Sequence, residues 1–209
     1  ELNATQMKEQ WNERYSGEAY VYGQEPNTWL KEQLLAMQAC RILLPADGEG
    51  RNAVFAAGLG FDVTAFDFSE TARKKALELA QHREVKIRYD IAAFEEAGSL
   101  YLPASFDLIA LIYAHMHSSV RRSYHQKLLD LLKPGGILLL EAFSLEQLPL
   151  TSGGPKNTEL LYRVEDIRED FASLSECQVI RETISLDEGT LHQGIAHVIR
   201  VIGRKYETH

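Results

Sequence analysis

The chain has 209 residues, 45% of them hydrophobic and 25% charged, with a formal net charge of −8, which suits one well-buried domain and is short for two. That charge argues against a nucleic-acid partner, because a phosphate backbone is repelled by the summed field, and no apolar run approaches the ~20 residues of a membrane helix. The only cysteines, Cys40 and Cys177, lack CxxC spacing, so neither a disulfide framework nor a metal site is expected, and a reducing cytoplasm fits.

The N-terminus is polar and unlike a secretory signal, so the Asn3-Ala4-Thr5 sequon is expected to be coincidental. The chain opens on Glu1, with Met7 as an alternative start. Met7 to Ser16 and Asn27 to Gln38 carry helical patterns around an aromatic loop, Tyr20 to Pro26. From Cys40 onward strand and helix patterns alternate, which predicts a parallel sheet. Ile42-Leu43-Leu44 is the apolar run of a buried strand, broken by Pro45-Ala46-Asp47-Gly48-Glu49-Gly50. Gly48 and Gly50 allow positive φ and close approach of a ligand. A helix follows from Arg51 to Ala57, with Gly58 and Gly60 as its stop, and its first N–H groups suit a carboxylate or phosphate. Val63 to Phe66 is the second strand, and Asp67 at its end stands where a βαβ unit puts the acid that accepts from ribose hydroxyls.

Thr71 to Gln81 reads as a helix capped by Ser69 or Asp67, Val85 to Tyr89 as a third strand ending at Asp90, and Phe106 to Tyr113 as a fourth. Val120 to Leu132 is helical, and Ile137 to Ala142 is a fifth strand after the turn Lys133-Pro134-Gly135-Gly136. The last two strand-like runs, Gln178 to Ser185 and Ile195 to Gly203, have no helix between them and should pair antiparallel across Asp187-Glu188-Gly189.

Gly48-x-Gly50-x-x-Ala53 with Asp67 satisfies a dinucleotide fingerprint, so an NAD-dependent oxidoreductase is one reading. The terminal hairpin favours a methyltransferase instead. Together the motifs WNERY (Trp11 to Tyr15), YGQEPN (Tyr22 to Asn27), GEGRNA (Gly48 to Ala53), Asp67 and LKPGG (Leu132 to Gly136) resemble the class I S-adenosylmethionine-dependent methyltransferases. LEAF (Leu140 to Phe143), GGPK (Gly153 to Lys156), LLY (Leu160 to Tyr162) and the EG, H-x-G-x-A and RK elements between Glu188 and Lys205 place the likeness in the tellurite-resistance branch. The resemblance implies a single α/β domain over 1–209, with a helical cover segment (1–38) and a Rossmann-like core (39–209). Its sheet would have seven mostly parallel strands, the last antiparallel, with helices on both faces. It also implies methyl transfer from S-adenosylmethionine to a small acceptor, a sulfur, selenium or tellurium nucleophile. Many such enzymes carry an acid at the end of strand one and a glycine two places on. Here those positions are Leu44 and Ala46, and Asp47 is the candidate to take over, facing the methionine ammonium or the sulfonium. A catalytically silent cofactor-binding protein is a third reading of the same departure.

Methyl transfer from a sulfonium needs orientation of two partners and exclusion of water, not a metal or a covalent nucleophile. The expected cofactor set is Asp47, Gly48, Glu49, Gly50, Arg51, Asn52, Asp67, Phe68, Ser69, Asp90, Ile91 and Tyr113, with Phe68 and Asp90-Ile91 beside the adenine. His115, after strand four, is the candidate to orient or deprotonate the acceptor, with Tyr22 from the cover. Arg14, Tyr15, Arg163 and His192 are expected near the acceptor. His117 reads as a helix start, and Arg121, Arg122 and the Arg73-Lys74-Lys75 run as solvated helix charges. A monomer or homodimer is expected.

Overall fold

The computed structural model describes residues 4–207, so the Asn3 sequon lies outside the described residues. The chain forms two compact units, Glu1–Ala93 with Glu188–Leu191, and Phe94–Asp187 with His192–His209.

The first unit runs α1 (Ala4–Arg14), α2 (Thr28–Leu35), β1 (Arg41–Pro45), α3 (Arg51–Gly58), β2 (Asp62–Asp67), α4 (Glu70–His82) and β3 (Arg88–Ile91). β1 pairs parallel with β2 from Arg41↔Asp62 to Pro45↔Phe66, and β2 with β3 from Thr64↔Arg88 to Asp67↔Ile91. Ile42, Leu43 and Leu44 are all buried, as a parallel strand covered on both faces requires. Ser69 caps α4 by accepting the Ala72 N–H at 3.1 Å, and Asn27 caps α2 by accepting that of Leu30 at 2.9 Å. Gly58 is the last residue of α3 and only Gly60 takes a positive φ, +90°. The third strand begins later than expected. The Val85 N–H instead bonds the Ala80 carbonyl at 3.0 Å, finishing α4, while Val85 and Ile87 pack on Val54, Leu79 and Ala80. Their hydrophobicity serves helix packing, not strand pairing.

The second unit runs α5 (Ala97–Leu100), β4 (Phe106–Ile112), α6 (Ser118–Leu131), β5 (Leu132–Phe143), α7 (Val164–Asp170), β6 (Glu176–Asp187) and β7 (Gln193–Arg204). β4 and β5 are parallel, and β7 is antiparallel to both β5 and β6, so the expected terminal hairpin is present. The Lys133-Pro134-Gly135-Gly136 segment is not a turn before the fifth strand. It lies inside β5, where the register passes from Phe106↔Leu132 to Leu108↔Ile137. Gly135 has φ +75°, and a Cβ on Gly136 would stand 2.8 Å from the Lys133 carbonyl oxygen, so the bulge demands both glycines. The seven strands have the order β3-β2-β1-β4-β5-β7-β6.

α6 and α7 are tied by charge. Buried Arg121 donates from Nε to Asp170 Oδ2 at 2.6 Å, and His125 Nδ1 lies 2.8 Å from the same oxygen. Arg121 is therefore not a solvated helix charge, whereas Arg122 is exposed. His117 is the N-cap of α6.

Candidate active site

In the first unit the turn after β1 is held from below and from one side. Gly48 (φ +55°) donates its N–H to Asp67 Oδ2 at 3.1 Å, and the Tyr89 hydroxyl donates to the Gly48 carbonyl. Asp67 Oδ1 accepts the Ser69 N–H at 2.9 Å. The glycine turn and the β2 acid are thus joined by a direct hydrogen bond. The two glycines do different work. A Cβ on Gly50 (φ +82°) would stand 2.4 Å from Ala76 Cβ and 2.9 Å from Ala76 Cα, so this glycine lets α3 start against α4. A Cβ on Gly48 would instead stand 2.8 Å from the Tyr15 hydroxyl, the far end of a side chain from the segment after α1.

Burial dominates the electrostatics. It lifts the Asp67 carboxyl to about 6 against the pull of its N–H donors, and the Asp47 carboxyl to about 7. Burial, then the charge of Asp67, pushes the Tyr15 and Tyr89 phenols well above their ordinary value. A carboxylate offers about four acceptor positions. Main-chain N–H groups of Gly48, Phe68 and Ser69 occupy three on Asp67, leaving capacity for a hydroxyl. Phe68 is half-buried beside it, and Ile91, at the end of β3, is 43% exposed.

Several predicted cofactor residues spend their side chains elsewhere. The Asp47 oxygens accept Asn52 Nδ2 at 3.1 Å and the Ala53 N–H at 3.0 Å, fixing the start of α3. Glu49 pairs with Lys75 and accepts the Val21 N–H at 2.8 Å. Lys75 also donates to the carbonyls of Gly17 (2.9 Å) and Ala19 (2.7 Å). This lysine is buried, and Arg73 donates to the Tyr89 carbonyl at 2.8 Å, so only Lys74 of the basic run is a solvated charge. Asn52 Oδ1 accepts the Asn27 N–H at 2.9 Å, and Arg51 pairs with Glu188 at 2.7 Å. Ser69 Oγ donates to Asn12 at 2.6 Å. Asp90 pairs with Arg88 at 2.9 Å. Glu49, Arg51 and Asn52 use their side chains to fasten the segment between α1 and α2. In that segment Tyr15 is buried against Trp11, ring centroids 5.5 Å apart, and Arg14 Nη1 donates to the Tyr22 hydroxyl at 3.4 Å.

In the second unit Tyr113 follows β4 with φ +53°, a strained conformation for a tyrosine. Its hydroxyl donates to Glu141 Oε1 at 2.8 Å, and Arg200 Nε donates to Glu141 Oε2 at 2.6 Å. The ring stacks on Phe143 at 4.6 Å, and the His192 ring meets both edge-on, at 4.8 and 5.3 Å. Glu141 and Arg200 escaped the sequence reading, although an acid inside the apolar run ILLLEAF needs a buried partner. His115 is held between two main-chain groups. Its Nδ1 lies 2.7 Å from the Leu160 carbonyl and so carries the proton, while Nε2 accepts the Phe143 N–H at 3.2 Å. Burial lowers its pKa to about 4. A main-chain donor and a main-chain acceptor thus flank the ring, and burial favours its neutral form. Arg163 does not join the Tyr113 group. It lines a cavity of about 320 Å³ with Arg168, Arg181, Val179 and Ile199.

The profile of a methyltransferase domain family matches residues 42–136. Among solved structures, TehB from Haemophilus influenzae is similar, with 15% identity over 96% of this chain and 67% of that one, TM-score 0.67. A protein solved in work on the conversion of a disulfide bond into a thioacetal group during echinomycin biosynthesis shares 19% identity over 97% of this chain and 93% of that one, TM-score 0.75. An S-adenosylmethionine-dependent methyltransferase from Methanosarcina mazei shares 15% over 88% of this chain and 100% of that one, TM-score 0.61. No curated protein matches the chain. The likenesses show the class I methyltransferase fold, with the methyltransferase domain matched over residues 42–136.

Proposed function

We propose that this enzyme methylates a small nucleophilic acceptor, with a sulfur, selenium or tellurium centre as the first chemistry to test. The observation that carries the cofactor half is the Gly48–Asp67 pair inside the matched domain: a turn glycine whose N–H bonds the acid ending β2. The residues present fit the group, since Asp67 retains acceptor capacity for a ribose hydroxyl and Ile91 offers an exposed apolar face to a purine. S-adenosylmethionine, when bound, supplies a methyl group already activated on a sulfonium. The chain then has to orient and to exclude water. We assign the main chain of Asp47 to Arg51 to the methionine part and Tyr15 and Tyr22 to water exclusion.

On the acceptor side we assign Tyr113 and His192. His115 becomes a positioning residue that fixes the Phe143 and Leu160 main chain. A soft chalcogen anion attacks without a base, which suits a group whose histidine is held neutral. The TehB likeness supports this acceptor class only as a starting point. We further propose that 1–38 acts as the cover segment and 39–209 as the core of one methyltransferase domain, working in a reducing cytoplasm as a monomer or homodimer. Among the described residues no helix is long and apolar enough to cross a membrane. The test has two arms: S-adenosylhomocysteine binding by calorimetry, and cofactor turnover against thiols, selenite and tellurite. A folded protein giving no heat with S-adenosylhomocysteine refutes the cofactor reading, and turnover confined to oxygen or nitrogen acceptors refutes the acceptor class.

A further inference from the structure

The tip of the β6–β7 hairpin belongs to the first unit, and it is built into the cofactor half through one buried carboxylate. Glu188 Oε2 accepts Arg51 Nη2 at 2.7 Å, while Oε1 accepts Asn27 Nδ2 at 3.1 Å and the Thr28 N–H at 3.2 Å. The side chains of Arg51 and Glu188 are 8% and 7% exposed. The next residue fits backbone to backbone: Gly189 has φ +74°, and a Cβ there would stand 2.5 Å from the Tyr22 carbonyl carbon and 2.6 Å from the Gly23 nitrogen. Thr190 Oγ1 donates to the Val21 carbonyl at 3.4 Å. Three consecutive residues thus grip the stretch from Val21 to Thr28, and Glu188 ties the same stretch to Arg51, the first residue of α3 after Gly50.

We propose that this tip is a clasp and that Glu188 and Arg51 are positioning residues for cofactor binding, fixing cover segment and glycine turn relative to each other. The proposal rests on the reading that the first unit binds S-adenosylmethionine. A buried ion pair is weak in net stability against an apolar pair of the same size, yet it dictates geometry strongly. The converging donors on Glu188 leave its carboxylate one arrangement. Fold stability and cofactor affinity should therefore respond differently to replacement of the pair.

The experiment uses the full chain and S-adenosylhomocysteine as the calorimetric probe, on wild type, Glu188→Gln and the double variant R51M/E188M, with the melting temperature of each. Both variants are expected to bind at least about tenfold more weakly, roughly 1.4 kcal/mol, while the double variant, which removes both charges but also the acceptor of Asn27 Nδ2 and the Thr28 N–H, still melts cooperatively as a folded protein. A folded double variant that binds within about twofold of wild type, a factor worth well under 1 kcal/mol, overturns the clasp. A double variant that fails to fold also overturns it, because the pair would then be holding the fold. If Glu188→Gln alone fails to fold, the double variant decides. Wild type that gives no heat refutes the cofactor reading itself; wild type that binds with variants unimpaired refutes the clasp only.

Discussion

Replacing Gly50 by alanine should destabilise the protein far more than the same change at Gly48, although both are glycines of one turn with positive φ. At Gly50 the new methyl meets Ala76 Cβ at 2.4 Å and Ala76 Cα at 2.9 Å, so α3 and α4 must part. The left-handed conformation costs an alanine about 1–2 kcal/mol, and overpacking adds about 1–3 kcal/mol. Against these stands about 0.4–1 kcal/mol recovered from the stiffer unfolded chain. The net is a loss of about 2–4 kcal/mol, a shift in urea midpoint of roughly 1–2 M for an m-value near 2 kcal/mol/M. At Gly48 the nearest atom is the Tyr15 hydroxyl at 2.8 Å, which a small rotation removes, so the loss should stay near 1 kcal/mol, the conformational cost alone. The order inverts for the cofactor: Gly48→Ala puts a methyl on the turn and displaces the Tyr15 hydroxyl, and should weaken S-adenosylhomocysteine binding at least about tenfold, or 1.4 kcal/mol. Urea unfolding followed by circular dichroism, with calorimetry on both variants, tests the pair. Gly50→Ala within about 0.5 kcal/mol of wild type, the range of an ordinary surface change, would refute the reasoning.

Asp67→Asn should weaken S-adenosylhomocysteine by about 1.5–3 kcal/mol, the worth of hydrogen bonds to a charged acceptor. Because burial lifts the wild-type carboxyl to about 6, wild-type affinity should fall as pH drops through that value, and the variant's should not; equal pH profiles in calorimetry would contradict the role. His115, lowered by burial from 6.5 to about 4, binds fewer protons in the native state than unfolded between those values. Its contribution is therefore complete above pH 6.5 and is lost on acidification at about 1.4 kcal/mol per pH unit. His115→Gln should flatten the stability–pH curve by that slope over the same window, and parallel denaturation curves would exclude it. Asp170→Ala strands Arg121 and His125 in a buried setting and should cost about 3–5 kcal/mol; a thermal shift near zero would show the cluster to be solvated.

The path from strand to turn to helix to strand between Ile42 and Asp67 was legible because each step is local. An apolar run, two glycines and a terminal acid carry their conformations with them, and both glycines do take positive φ. The terminal hairpin was legible for the same reason, being adjacent in sequence. Three misreadings share one cause. Val85 and Ile87 have strand chemistry but pack on helices. The Lys133–Gly136 segment has turn chemistry but forms a bulge inside a strand. Arg121 and Lys75 have surface chemistry but are buried with distant partners. In each the residue's own preference is worth less than about 1 kcal/mol, and packing outweighs it.

The candidate site divides along the same line. Sequence alone determined where the glycine turn and its acid stand, since Gly48, Gly50 and Asp67 act through backbone geometry and a fixed place at the end of a strand. Only the tertiary structure decided what the neighbouring side chains do: Asp47 caps α3, Glu49 and Arg51 hold the segment between α1 and α2, and His115 lies between a carbonyl and an N–H. A charged or titratable group takes its role from whatever donor or acceptor comes within about 3 Å. For Glu188 and Arg51 that partner is 137 residues away along the chain, beyond the reach of any local pattern.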